Sequence, residues 1–169
     1  METTKKNLTL VASALALVIV LSTNLRGQAA QATQVVTLQV LELNKIDLSS
    51  GNSLILTIAS VEPNQGEPIP MSNSSTKLVW TSNGENRKIT VASNNPNSRY
   101  ALRVAAENVS AGAGSPVSEV SFFDNATRDL IVGVSKAAGS CTLRFTGSAA
   151  VEQGAGVENH LITYTIVCS

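Results

Sequence analysis

Apolar and polar residues alternate in short runs along most of this chain, and Gly, Pro, Asn or Ser interrupts the alternation every 8 to 15 residues or so. Period-two alternation puts every second side chain on one face, the pattern of a half-buried strand. Candidate strands are QVVTLQVLEL from Gln34, SLILTIAS from Ser53, TKLVWTS from Thr76, RKITVAS from Arg87, RYALRVAA from Arg99, EVSFF from Glu119, DLIVGVS from Asp129, CTLRFTGSAA from Cys141 and HLITYTIVC from His160. The links between them, such as EPNQGEPIPMSNSS, NNPNS, NVSAGAGSPVS and QGAGVEN, carry residues that set turns or accept positive φ. No segment among them sustains an apolar period near 3.6. The expectation is an all-β fold, an antiparallel sandwich or barrel of about seven to nine strands.

The N-terminus reads differently. Lys5 and Lys6 precede an apolar run from Leu8 to Leu21, followed by small residues up to Ala30-Gln31-Ala32. That order is the order of a secretory signal peptide, so residues 1–32 are expected to form a signal helix removed before Thr33, with Gly27-Gln28-Ala29 offering an earlier cut. An uncleaved anchor is the rival reading, but Asn24 and Arg26 interrupt any extension of the run toward the roughly 20 residues a membrane span needs. The expectation is contact with the membrane during export only. Residues 33–169 are then long enough for one domain with its own core.

Charge excludes one class of partner. Charged residues are 14% of the chain, and without the N-terminal segment 9 basic residues face 11 acidic ones, so no basic field is available to hold nucleic acid. Export also decides how the cysteines are read. In an oxidising compartment Cys141 and Cys168 are expected to form a disulfide, because antiparallel pairing of their two strands would bring the first near the last. Closing that loop would contribute about 3 kcal/mol in the chain-entropy view. A zinc site would need His160 as a third ligand, and no Cys-x-x-Cys or His-x-x-x-His spacing accompanies it.

The stretch SSTKLVWTSNGENRKITVAS holds the only Trp beside a basic pair, Arg87 and Lys88. Alternation separates them. Leu78 and Trp80 share one face, Ile89 and Val91 share another, and Lys77 and Lys88 point away from both. Asn83-Gly84 is a strong short-range turn signal, so a hairpin is expected, with Trp80 beside Ile89 or Val91 in the core.

Catalytic constellations are nearly absent. GAGSP at Gly112–Pro116 lacks the second Gly and the helix of a nucleophile elbow around Ser115. VENH could supply Glu158 and His160 for acid–base work, although a single His on a loop edge is more often ordinary surface. Asp124, Asn125 and Asp129 offer three oxygen ligands where calcium needs six to eight. No metal, cofactor or enzymatic activity is expected.

Taken together, the signal segment, the alternating strand after it, the Trp80 stretch and the closing LITYTI resemble small exported bacterial β-sandwich proteins of Ig-like or pilin-like type. Gly156, fourteenth from the end, followed by alternating Ile162, Tyr164 and Ile166, resembles the assembly motif of chaperone-usher pilins, which favour Tyr at the penultimate position where this chain has Cys168. The resemblance implies a non-catalytic secreted or cell-surface subunit, structural or adhesive, fimbria-like or matrix-forming. It implies self-association through edge strands, or association with other surface proteins, with Ile162, Tyr164 and Ile166 as an assembly strand. The alternating strand TQVVTLQVLEL is expected to complete its own sheet, with donation to a neighbour's open edge as the alternative. The alternative is an extracellular carbohydrate- or ligand-binding module using the longer loops; most aromatics fall within strands, and Phe122-Phe123 alone must place one ring on each face.

Overall fold

The computed structural model describes residues 31–50, 53–59 and 66–169. Apart from Gln31 and Ala32, the expected signal helix lies outside the described residues. The structure divides into a unit ending at Gln39 and a second unit, Val40–Ser169. In the first, residues 31–39 have neither helix nor strand and are exposed throughout.

The second unit is all-β. One antiparallel sheet has the order β1 (Asn44–Leu48), β2 (Ile69–Ser82), β8 (Ala137–Ala149), β4 (Ala101–Glu107), β6 (Val120–Ser121). The other has the order β5 (Ser115–Pro116), β7 (Arg128–Val134), β3 (Arg87–Ser93), β9 (Ile162–Cys168). Among the described residues the one helical turn is Val151–Gln153.

Both sheets contribute to a single core. From the first come Leu78, Trp80, Val104, Cys141 and Leu143, and from the second Ile89, Val91, Leu130, Ile131 and Val134, all buried. Each such aliphatic side chain contributes about 1.5–3 kcal/mol by leaving water. Alternation explains the arrangement on β2, where Thr76, Leu78, Trp80 and Ser82 are buried while Lys77 and Thr81 stay exposed.

The Trp80 stretch does not form a hairpin. Both lateral edges of β2 are taken, by β1 at Ile46↔Trp80 and by β8 at Trp80↔Gly139, so β3 has nowhere to pair with it. Asn83–Asn86 instead carries the chain across to the other sheet, and Leu78 and Trp80 face the same core as Ile89 and Val91 from the opposite side. The left-handed residue in this link is Asn86 (φ 52°), not Gly84.

Two expected strands are unpaired. Residues 34–43 and 53–59 form no sheet; the first segment stays in solvent, while Leu54 and Leu56 of the second pack on the core, with the Leu56 side chain over Gly147. A compensating strand appears where polarity argued for loop. β2 starts at Ile69 and runs through MSNSS, held by its ladder to β8 from Ile69↔Ala149 onward and by a Ser72–Thr146 hydroxyl pair at 3.0 Å.

Candidate functional site

The side of the molecule where β1 and β9 end their sheets carries the features that single out a site. β9 is the outermost strand of its sheet, paired through all seven residues to β3, from Ser93↔Ile162 to Arg87↔Cys168, and among the described residues to nothing on its far side. It contains no charge, no Pro and no bulge, the devices that protect an edge from pairing with another chain. The opposite edge, β1, does carry charges, at Lys45 and Asp47.

Inward-facing residues of β9 reveal that this flank is incompletely covered. Ile89 and Val91 are fully buried, yet their neighbours Ile166 and Tyr164 are only half-buried, as is Ile162. Between the edges lies a cleft of about 220 Å³ lined by Ile46, Asp47, Leu48, Leu78 and Tyr164. The expected assembly residues Ile162, Tyr164 and Ile166 thus lie together on the core side of one open edge.

The chain enters the second unit at one end of this flank. Asn83 accepts the Leu43 N–H at 2.6 Å, donates its side-chain N–H to the Leu41 carbonyl at 2.9 Å and its backbone N–H to the Leu43 carbonyl at 3.2 Å. Arg87 pairs with Glu42 at 2.6 Å and also donates to Cys168 Sγ. Upstream of this clamp the apolar side chains of Val35, Val36, Leu38 and Val40 are 70–92% exposed. Sequence reading missed the clamp. Asn83 looked like a turn residue, and its partners lie some 40 positions away, where no local pattern signals them.

The expected Cys141–Cys168 disulfide is not formed; both thiols are free. β8 and β9 are not partners and lie in different sheets. Cys141 projects into the core opposite Leu78, and burial, relieved a little by a hydrogen bond with the Leu78 backbone, pushes its thiol up to about 11. The β9 residue that approaches it is Tyr164, whose hydroxyl is raised above its ordinary range by burial first and by Cys141 second. Cys168 lies four residues further along, about 13 Å of strand away and beyond disulfide reach. A thiol reagent is therefore expected to label Cys168 rapidly in the native protein and Cys141 only after unfolding; a native protein without a reactive thiol would overturn this arrangement.

A second polar cluster fixes the start of β9. His160 Nδ1 lies 3.0 Å from Ser93 Oγ, and His160 Nε2 lies 3.6 Å from Glu158 Oε2. Ser, His and Glu in this order resemble a nucleophilic relay, but Ser93 is 3% exposed and leaves no approach for a substrate. The cluster works as a tie. Glu158 accepts the Arg99 N–H at 2.5 Å, the Tyr100 N–H at 3.2 Å and the Ser98 hydroxyl at 3.0 Å, while Asn94 accepts the Leu161 N–H at 2.8 Å. Burial raises the Glu158 pKa, but these donors and His160 outweigh it, so the carboxyl sits below its ordinary 4.5. Its stabilisation is complete above that value and disappears as pH falls through the lower folded one. Glu158→Gln is expected to lower stability by about 1–2 kcal/mol near neutral pH, with the gap in melting temperature shrinking as pH falls below 4.5; a gap that persists in strong acid would refute the assignment.

The oxygen ligands weighed for calcium turn to different cations. Asp124 pairs with Arg128 at 2.7 Å and Asp129 with Lys88 at 2.9 Å, while Asn125 is exposed. Among the described residues no group of three or more His, Cys, Asp or Glu could hold a metal ion, and no helix is long and apolar enough to cross a membrane. No protein-family model matches this chain, and no curated protein matches it.

Proposed function

We propose that this protein is a non-catalytic, exported structural subunit, a pilin-like or Ig-like sandwich whose work is done by its strand edges in a cell-surface or extracellular assembly. The observation that carries this reading is the extension TQVVTLQVLEL, apolar at alternate positions, exposed and without a sheet of its own. Such a segment gains main-chain hydrogen bonds and apolar cover only by adding to another sheet. The unprotected edge of β9 supports the same reading, as does the burial of Ser93 in the one relay that resembles catalytic chemistry.

Deleting Thr33–Gln39 tests it, since the sheets lie wholly within Val40–Ser169. The expected product keeps the far-ultraviolet dichroism of the parent but sediments as a monomer, whereas the parent forms higher assemblies. A deletion variant that assembles as well as the parent, or that fails to fold, would sink the proposal.

Binding of a carbohydrate or other ligand is the second reading, favoured by one observation, the 68% exposure of Phe123. Arg128 stacks over that ring at 4.3 Å and occupies one of its faces, which weakens the platform a sugar would use.

A further inference from the structure

We propose that Asn125 carries an N-linked glycan whose first sugar packs on the open face of Phe123. The site goes beyond the assembly reading and rests on its export clause alone, since the donor of such a glycan is met along a secretory route.

Among the described residues the acceptor pattern Asn-x-Ser/Thr occurs at Asn73, Asn108 and Asn125, and their surroundings separate them. Asn73 lies within β2 opposite Phe145 of β8, and its Oδ1 accepts the Ser75 N–H at 2.8 Å. The Asn108 pattern ends in Ser110, whose hydroxyl donates to the Ser140 carbonyl at 3.2 Å and accepts the Ser140 N–H at 3.0 Å. Asn125, Ala126 and Thr127 are all exposed, on the link between β6 and β7. Among the described residues neither the Asn125 amide nor the Thr127 hydroxyl is engaged in a hydrogen bond; the loop is tied by Asp124 and Arg128 instead. The link also lies on the flank away from β1 and β9, because β6 ends the first sheet opposite β1 and β7 is separated from β9 by β3. A bulky, solvated glycan there covers no edge of those two strands.

The second observation is Phe123. It is 68% exposed and stands two residues before Asn125, where the other two patterns have Met71 and Ala106. Arg128 covers one face of its ring at 4.3 Å and leaves the other to solvent. Asp124 holds ring and amide in one bend: it accepts the Ala126 N–H at 2.9 Å and pairs with Arg128 at 2.7 Å, while Arg128 donates to the Ala126 carbonyl at 3.1 Å. Residues two apart have Cα atoms no more than about 7.6 Å from each other, so a pyranose on Asn125 Nδ2 is within reach of the ring. The C–H face of a pyranose is apolar and meets the negative face of an aromatic ring, and their contact takes both out of water. A free sugar gains little from one ring face. A covalent tether replaces the binding step with a high effective concentration, so a single stack suffices.

The transfer balances. The donor class is an oligosaccharide, headed by an N-acetylhexosamine, on a lipid pyrophosphate. Asn125 Nδ2 forms a bond to the anomeric carbon and loses a proton, and the bond from that carbon to the pyrophosphate oxygen breaks. The lipid pyrophosphate leaves with that electron pair, and nothing is oxidised or reduced.

Mass spectrometry of the full-length chain as its own cells secrete it tests the site. Release by a peptide N-glycosidase in heavy-oxygen water is expected to convert Asn125 to isotopically marked Asp, and Asn125→Gln and Thr127→Ala are each expected to abolish the mark. Thermal unfolding before and after release tests the stack. Release is expected to lower the melting temperature by about 2–6 °C in the parent and to leave it unchanged in Phe123→Ala. Secreted protein with an unmodified Asn125 would overturn the proposal, whether or not that protein assembles. A marked Asn125 on a chain that never assembles would overturn the assembly reading and leave the glycan in place. An equal drop in Phe123→Ala and parent would overturn the stack. Protein found only inside the cell, with Met1 still in place, would overturn export and this proposal with it.

Discussion

Phe122→Ala is expected to lower the unfolding free energy by about 3–5 kcal/mol, while Phe123→Ala, one residue away, costs less than about 1 kcal/mol. Phe122 follows β6, is 2% exposed and donates its N–H to the Leu102 carbonyl at 2.9 Å, which fixes its ring among Val104, Val120 and the other core residues. Truncation leaves a cavity the size of a ring in a close-packed interior, and the surrounding strands are too constrained to collapse into it. Phe123 points the other way, and its loss forfeits only the exposed contact with Arg128. Urea unfolding of the two variants checks this. Equal shifts in the midpoint would mean that the two rings are not divided between core and solvent.

The second large effect comes from adding a single methyl group. A Cβ on Gly139 would lie 2.5 Å from Ala113 Cβ, 2.6 Å from Trp80 Cζ2 and 2.7 Å from Trp80 Cε2. Real side-chain carbons do not approach so closely, and neither neighbour is a flexible tip that can swing aside. Gly139 stands directly across from Trp80 in the β2–β8 ladder, so the clash falls where the long strand pair is held. Gly139→Ala is expected to cost about 1–3 kcal/mol by overpacking and to shift the Trp80 emission as the indole is displaced. Gly66→Ala, where an added Cβ meets nothing within 4 Å among the described residues, serves as the control and stays within about 0.5 kcal/mol of the parent. Unchanged stability and emission in Gly139→Ala would mean that the indole is not seated against this glycine.

Period-two patterning made the all-β class legible, and it put the right faces of β2 and β3 inward. The inward placement of Leu78, Trp80, Ile89 and Val91 follows from alternation alone, because each strand has one wet face and one dry one. Which strands pair does not follow. Asn83-Gly84 signals a change of direction equally well for a hairpin and for a crossing between sheets; the outcome depends on whether a lateral edge of β2 is free, and β8, more than fifty residues downstream, takes it. The Cys pair failed for the same reason, since two strand-like segments joined by a turn-rich link were read as partners. Residues 34–43 illustrate the converse. Alternation marks them as strand-like, yet among the described residues they join no sheet. Of the site, the alternating Ile162, Tyr164 and Ile166 were readable as a face, while their openness depends on β9 being outermost, a property of strand order that no local window contains.

The crossing at Asn83–Asn86 also sets a timetable. With β2 and β3 in different sheets, β2 waits for β8 to form its long ladder, β4 waits for β8 as well, and β3 waits for β7 and β9. In a chain that emerges N-terminus first from a ribosome, the middle of the first sheet is missing until Ala149 has appeared, and the edge of the second until Cys168 has. Non-local pairing of this kind is slow to form. The order of strands thus leaves both sheets unfinished until most of the chain has been made, although the β1–β2 pair can close as soon as Ser82 is present.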